Sequence, residues 1–155
     1  MTKTSEGSTP GFLVWRLSMK WRVAVDRAVG PLGLTHAQYA LLGSLFGMER
    51  SGVRPSQREL ADHTGLEALY VSKLARTLES AGIIERVRDL EDSRAVRLSL
   101  TEHGRDVTAR AIVVVRELHG RFLAPLGGLD GERTKVLTRE LVTLLDAPLD
   151  PSGKE

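Results

Sequence analysis

A chain of 155 residues with 41% hydrophobic and 27% charged side chains fits one domain with a sizeable core, or a core whose outlying helices a partner subunit completes. Its net charge of +2 and pI near 9.2 only hint at a polyanionic partner, and the absence of cysteine excludes disulfides, thiolate zinc sites and thiol redox sensing together. There is no apolar run long enough to span a bilayer and no signal-peptide pattern, so no membrane partner is expected and the cytoplasm is the expected compartment.

Residues 1–10 are rich in Ser, Thr and Gly and read as a disordered tail. From Phe12 the chain places Phe12, Trp15, Met19 and Val23 on one helical line and Val14, Leu17, Trp21 and Val25 on another. A helix with two apolar sides needs two covering surfaces, its own domain and a partner subunit. Gly30-Pro31 ends it. Thr35 and Gln38 form a capping box for a second helix, with Leu34 and Tyr39 placed as a hydrophobic staple and Leu41, Leu42, Leu45 and Phe46 carrying it to about Met48.

Ser56 and Glu59 repeat the capping-box spacing and predict a short helix that turns Leu60 and Ala61 inward and ends near Gly65. The stretch Leu66 to Gly82 follows, with Val71, Leu74, Ala75 and Leu78 at the spacing of a buried stripe. Leu69, Ser72, Lys73, Arg76 and Ser80 fall on its opposite side, and Gly82 sits where a left-handed cap would stop it. Two short helices joined by a Gly-containing turn form a helix-turn-helix, whose second member enters the DNA major groove. Ile83 to Arg88 and Ala95 to Leu100 alternate across a charged link and read as a β-hairpin, or wing, to which Val53-Arg54 could add a short strand.

Thr101 is placed to cap a long helix with Val107, Ala111, Val114, Leu118 and Phe122 in its stripe. Ala124 to Gly128 breaks that helix, and Asp130 is placed to cap a last one with Leu137, Leu141, Leu144 and Leu145 inward. The expected fold is thus mainly α with a small β-hairpin wing. Its winged helix-turn-helix DNA-binding domain spans 31–100, its N- and C-terminal dimerisation helices lie in 11–30 and 101–147, and a polar tail closes the chain at 148–155.

Thr35-x-x-Gln38, Glu59-Leu-Ala61, Val71-Ser-Lys73, Leu78-Glu79, Gly82-Ile-Ile-Glu-Arg86, Asp89-x-x-Asp92-x-Arg94 and Leu100-Thr101-x-x-Gly104 stand in the order and spacing of the MarR family, which this sequence resembles from about Leu34 to Gly104. The resemblance implies a winged-helix transcription regulator, usually dimeric. It also implies an inverted-repeat DNA operator read by two equal helices.

On that basis Lys73 and Arg76 are candidates for phosphate or guanine contacts, Ser72 for a hydrogen bond and Leu69 for an apolar contact such as a thymine methyl. Where the family commonly has Thr-Val-Ser-Arg this chain has Tyr70-Val-Ser-Lys73, and Lys does not reproduce the Arg fork. Arg86 and Arg88 are candidate phosphate contacts, although Arg86 can instead pair with a nearby acid. Arg94 has two readings, a surface ion pair with Asp92 or Asp89, or a minor-groove contact oriented by Asp92 as the family pattern implies. Residues 51–100 hold eight basic and eight acidic side chains, so any DNA affinity there must come from patterning.

There is no nucleophile elbow, phosphate-cradling loop or paired-carboxylate setting, so no enzyme and no cofactor are expected. His36, His63, His103 and His119 lack zinc spacing, which leaves a metal shared across a dimer as a minor alternative. A winged helix used only to bind proteins is another. The family resemblance also suggests a small lipophilic or phenolic effector held by Trp15, Met19, Arg22, His36 and Tyr39, although Trp and Met at helical spacing are equally the marks of interface packing.

Overall fold

The computed structural model describes residues 7–149; of the tails expected at 1–10 and 148–155, residues 1–6 and 150–155 lie outside the described residues, and the N-terminal one is shorter than expected because Thr9 and Pro10 already start a helix. The first helix, α1, spans Pro10–Val29. It starts there because the Thr9 hydroxyl accepts the Phe12 N–H at 3.3 Å and Pro10 fills a position that needs no amide donor. Only its C-terminal end is covered, with Val25 and Val29 fully buried, whereas Phe12, Val14, Trp15, Leu17 and Val23 stand exposed.

Helix α2 spans His36–Arg50 and begins on the complete capping box, Gln38 N–H to Thr35 Oγ1 at 3.2 Å and Thr35 N–H to Gln38 Oε1 at 3.0 Å. The Asp26 carboxylate accepts the His36 N–H at 2.7 Å and so ties α1 to the start of α2. Leu41, Leu42 and Leu45 of α2 are fully buried and form the middle of the core.

Helix α3 covers Gln57–Thr64 and α4 covers Ala68–Ser80. Ser56 caps α3 through the Glu59 N–H at 3.1 Å, but the returning half of that capping box is missing because the Glu59 carboxylate faces Arg97 at 3.7 Å. Val71, Leu74, Ala75 and Leu78 of α4 are buried as their spacing requires. The helix stops at Gly82, whose φ of +72° lets the Ile83 N–H return to the Leu78 carbonyl at 3.0 Å.

Strands β1 (Ile84–Arg88) and β2 (Val96–Leu100) pair antiparallel, with Ile84 opposite Leu100 and Arg88 opposite Val96. The third strand expected at Val53-Arg54 is displaced. The Val53 N–H is taken by the Met48 carbonyl at 2.9 Å, so pairing starts two residues on, with Leu98 N–H to the Pro55 carbonyl at 3.0 Å and a single bridge between Ser56 and Arg97.

Helix α5 spans Glu102–Phe122 and grows from a tight joint. The Thr101 hydroxyl donates to the Gly82 carbonyl at 2.6 Å and accepts the Gly104 N–H at 2.9 Å, while the Thr101 N–H donates to the Ile83 carbonyl at 3.0 Å. A Cβ at Gly104 would overlap that Ile83 carbonyl. The close approach sets the rotation of α5, so its buried face runs Gly104, Val107, Thr108, Ala111, Val115. Val114, Leu118 and Phe122 of the expected stripe are only half-buried.

The chain divides into two compact units after Val115. In the second, Ala124–Leu126 form a 3-10 turn and α6 runs Glu132–Asp146. Its N-cap is Gly131, not Asp130, because the backbone there passes so near the Leu126 carbonyl that a side chain would not fit. Thr134, whose hydroxyl donates to the Gly128 carbonyl at 2.6 Å, is the buried residue of α6. Leu141, Leu144 and Leu145, expected to point inward, are exposed, since so short a unit offers its last helix no surface to cover them.

The Thr101 and Gly104 joint makes a sharp test. Gly104→Ala forces apart two backbone segments rather than a flexible side chain, so it should cost about 3 kcal/mol, the upper end of overpacking. Thermal and urea unfolding will measure the loss.

Candidate nucleic-acid interface

Burying Val71, Leu74 and Leu78 leaves α4 to present Leu69, Tyr70, Lys73 and Arg76 outward, with Leu69 85% exposed. The Arg76 guanidinium donates to Ser72 Oγ at 3.3 Å, one turn earlier, which aligns it along the helix. Neither Lys73 nor Arg76 is ion-paired among the described residues, so both positive charges stand on this exposed face. Leu69, Ser72, Lys73 and Arg76 all lie in the first nine residues of α4, the part of a recognition helix that meets base edges.

Beside this face stands the wing. Its tip is folded by two carboxylates acting on main chain, with Asp89 Oδ1 accepting the Glu91 N–H at 2.9 Å and Asp92 Oδ1 accepting the Arg94 N–H at 3.0 Å. The ion pair considered for Arg94 is absent, since Asp89 pairs instead with Arg97, Nε to Oδ2 at 2.7 Å. Asp92 therefore orients the backbone of Arg94, and the Arg94 side chain is exposed and without an ion pair among the described residues.

Arg88 is exposed too. Arg86 is engaged: its Nε sits 3.3 Å from Glu79 and its Nη1 donates to Gln57 Oε1 at 3.4 Å, so it braces β1 against α3 and α4. Backbone hydrogen bonding from Glu91, and after it the Arg97 side chain, hold the Asp89 carboxyl below its ordinary value of 3.8.

Two residues with structural roles at the wing escaped the sequence reading. Arg97 was legible only through strand register, because with Val87 opposite Arg97, Asp89 becomes its diagonal neighbour on the same face. Glu49, at the end of α2, accepts the Leu100 N–H at 2.8 Å and pairs with Arg105 at 3.3 Å, holding the base of the wing; only three-dimensional proximity reveals it.

A cavity of about 570 Å³ opens along α2, lined by Tyr39, Gly43, Gly47 and Met48 together with Val53, His63 and Ile112. Of the five expected effector residues only Tyr39 reaches it. Trp15, 60% exposed, Met19 and Arg22 lie on the exposed part of α1. His36 stands at the α2 N-terminus, where its backbone N–H donates to Asp26, and it is not among the residues that line the cavity. Burial pushes the Tyr39 phenol upward and the His36 imidazole downward, the latter partly countered by Asp26. No cluster of three or more His, Asp or Glu that could hold a metal occurs among the described residues.

Residues 30–110 match the family model for the transcriptional regulator SarA/Rot. The chain belongs to the winged-helix transcriptional regulators of the SarA/Rot and MarR type. Among relatives of this family, it is 37% identical over 117 residues to the HTH-type transcriptional regulator YdcH of Bacillus subtilis, covering 76% of this chain and 80% of that one. An HTH-type transcriptional repressor of Mycobacterium bovis is 34% identical over 75% of this chain and 81% of its own. Among solved structures, the regulator PcaV of Streptomyces coelicolor with its natural ligand superposes with a TM-score of 0.77 at 26% identity, covering 95% of this chain and 99% of that one. MepR of S. aureus bound to DNA gives 0.77 at 22% identity, covering 89% and 97%. The MarR resemblance read from Leu34 to Gly104 falls within the matched segment, and the chain is a DNA-binding regulator.

In this regulator the wing-tip charge pair can be followed by titration. A carboxyl whose folded pKa lies below its unfolded value contributes stability above the unfolded pKa and loses it as pH falls through the folded one. The Asp89 carboxyl resonance should therefore titrate below the ordinary 3.8, with its contribution present at neutral pH and lost only in acid. Replacing Arg97 with Gln should move the midpoint upward in a carbon-detected NMR titration.

Proposed function

We propose that this regulator acts as a repressor, a homodimer in the bacterial cytoplasm whose two α4 helices enter successive major grooves of an inverted-repeat operator. The observation that carries this reading is the outward face of α4, where Lys73 and Arg76 stand clear of acids beside a wing that exposes Arg88 and Arg94. Leu69 and Ser72 contribute apolar and hydrogen-bonding contacts. Arg94 enters the adjoining minor groove, Arg88 meets phosphate, and Arg86 supports them mainly as a brace. The DNA-binding domain is 31–100, and the relatives named as repressors and the DNA-bound MepR structure support the sign and the partner.

Dimerisation is carried by the helices in 11–30 and 101–147. Its support is the apolar surface the single chain leaves open, Phe12, Trp15 and Leu17 on α1 and Leu141, Leu144 and Leu145 on α6. Trp15 and Met19 then belong to the subunit interface.

The α2 cavity accepts a small phenolic or otherwise lipophilic effector, with the Tyr39 ring as a wall and the His63 imidazole as a polar group. PcaV, a structural neighbour, carries its natural ligand. Binding the effector lowers DNA affinity by favouring a dimer whose recognition helices no longer match the groove spacing.

The DNA assignment is tested with duplexes selected by the protein from a random library. Arg76→Ala should cost about 1–3 kcal/mol and relax specificity at one base pair, while Arg94→Ala should weaken binding most at sites with a narrow, A·T-rich minor groove. Unchanged affinity in the double variant, measured by gel shift at fixed salt, would refute it.

For the effector, Gly47 offers a clean probe because a Cβ there meets nothing within 4 Å. Gly47→Leu should fill the cavity and abolish calorimetric binding of phenolic acids, yet leave operator affinity unchanged without ligand.

A further inference from the structure

We infer that Arg97 is the positioning residue of the wing: by joining the wing tip to α3 and to the α2–α3 connection, it sets where Arg94 is delivered, so the contribution of Arg94 to DNA binding depends on Arg97. The inference rests on the reading of the wing as a DNA contact.

Arg97 meets acceptors on three separate segments. Its Nε is 2.7 Å from Asp89 at the wing tip, its Nη1 donates to the Arg54 carbonyl at 2.8 Å, and the Glu59 carboxylate of α3 lies 3.7 Å away. The planar fork of an arginine suits such simultaneous, directional contacts, whereas a lysine offers a single ammonium on a flexible stem.

The hairpin needs such a tether. Two five-residue strands make a ribbon that is marginal by itself. Its base is fixed by the Thr101 joint and by Leu98 N–H to the Pro55 carbonyl at 3.0 Å. Toward the tip, Asp89 is the residue whose side chain reaches back across the ribbon to the body of the domain, through Arg97.

Backbone bonds tie the tip together: the Asp89 N–H donates to the Ala95 carbonyl and the Ala95 N–H to the Asp92 carbonyl, each at 3.0 Å, while Asp92 Oδ1 accepts the Arg94 N–H at 3.0 Å, so fixing Asp89 constrains the residues that carry Arg94. The Arg97 side chain is about a third exposed, and an ion pair so placed adds little to overall stability. Its effect is on position.

The test is a double-mutant cycle on the full-length protein, using a duplex that the wild type selects from a random library, with thermal melting recorded for every variant. Arg94→Ala should weaken binding about tenfold in the wild-type background but less than about twofold in Arg97→Gln and in Asp89→Asn, since a misplaced Arg94 has little left to lose. Arg97→Lys should restore only part of the Arg94 effect. Hydroxyl-radical footprints of Arg97→Gln should lose minor-groove protection at the wing while keeping protection around α4.

A variant that merely destabilised the fold would weaken both backgrounds alike and leave the Arg94 factor unchanged, and that result overturns the inference. Wild-type affinity for Arg97→Gln overturns it as well. If Arg94→Ala has no effect even in the wild-type background, the wing assignment falls and this inference with it, whereas an Arg94 effect indifferent to Arg97 sinks the inference alone.

Discussion

The arrangement of the proposed DNA-facing surface depends on one close approach, that of Gly104 to the Ile83 carbonyl. Four segments meet there: the end of α4, the start of β1, the end of β2 and the start of α5. Thr101 holds them with its hydroxyl and its amide, 2.6 Å from the Gly82 carbonyl and 3.0 Å from the Ile83 carbonyl. Because Gly104 lacks a Cβ, α5 can begin against that backbone rather than a side chain's width away. The base of the wing is therefore held to the end of α4 by the Thr101 hydroxyl together with backbone hydrogen bonds. Gly82, with φ at +72°, is the counterpart that lets the chain leave α4 in the direction of β1.

Much of this arrangement was readable from residue types alone, for a physical reason. Caps, glycine stops and the 71, 74, 75, 78 stripe act within a few residues of chain, so sequence spacing reports them directly. Failures came where the controlling neighbour was distant in sequence. Glu59 fits a capping box, yet Arg97 draws its carboxylate away. Arg94 sits nearest the wing acids in sequence, but strand register gives Asp89 to Arg97. Val53-Arg54 has strand-like composition, and the end of α2 takes its amide first. Trp15, Met19 and Arg22, which the family resemblance suggests for an effector, lie outside the α2 cavity; Gly43 and Gly47 line that cavity, and periodicity does not register a missing side chain.

Exposed apolar residues carry a different lesson. Trp15, Leu17, Leu144 and Leu145 obey helical spacing, and the single chain leaves them uncovered. The expectation that Leu144 and Leu145 point inward gives that stripe to the chain's own core, although the same helix lies in the expected dimerisation region. Burial of such area is worth roughly 25 cal/mol per Å², so a subunit would gain substantially by covering it with its twin. Periodicity identifies a face that must be buried and leaves open by what.

Helix α2 connects the two halves of the proposed regulation. Its inner leucines are the centre of the core, its glycines make the cavity, and its last residues lead into Ser51 and Val53, which line that cavity. Immediately beyond, the carbonyls of Arg54 and Pro55 hold Arg97 and Leu98 of the wing at 2.8 Å and 3.0 Å. Glu49, in the last turn of α2, holds Leu100 and Arg105 at the wing base. A ligand that wedges against Tyr39 and Val53 therefore pushes on a segment whose next residues are wing tethers, with no need for a long chain of intermediaries. Tenfold weaker DNA binding requires about 1.4 kcal/mol of difference in ligand affinity between the two arrangements, within the usual range of allosteric coupling. A few strained hydrogen bonds between the α2–α3 connection and β2 are enough to supply a difference of that size.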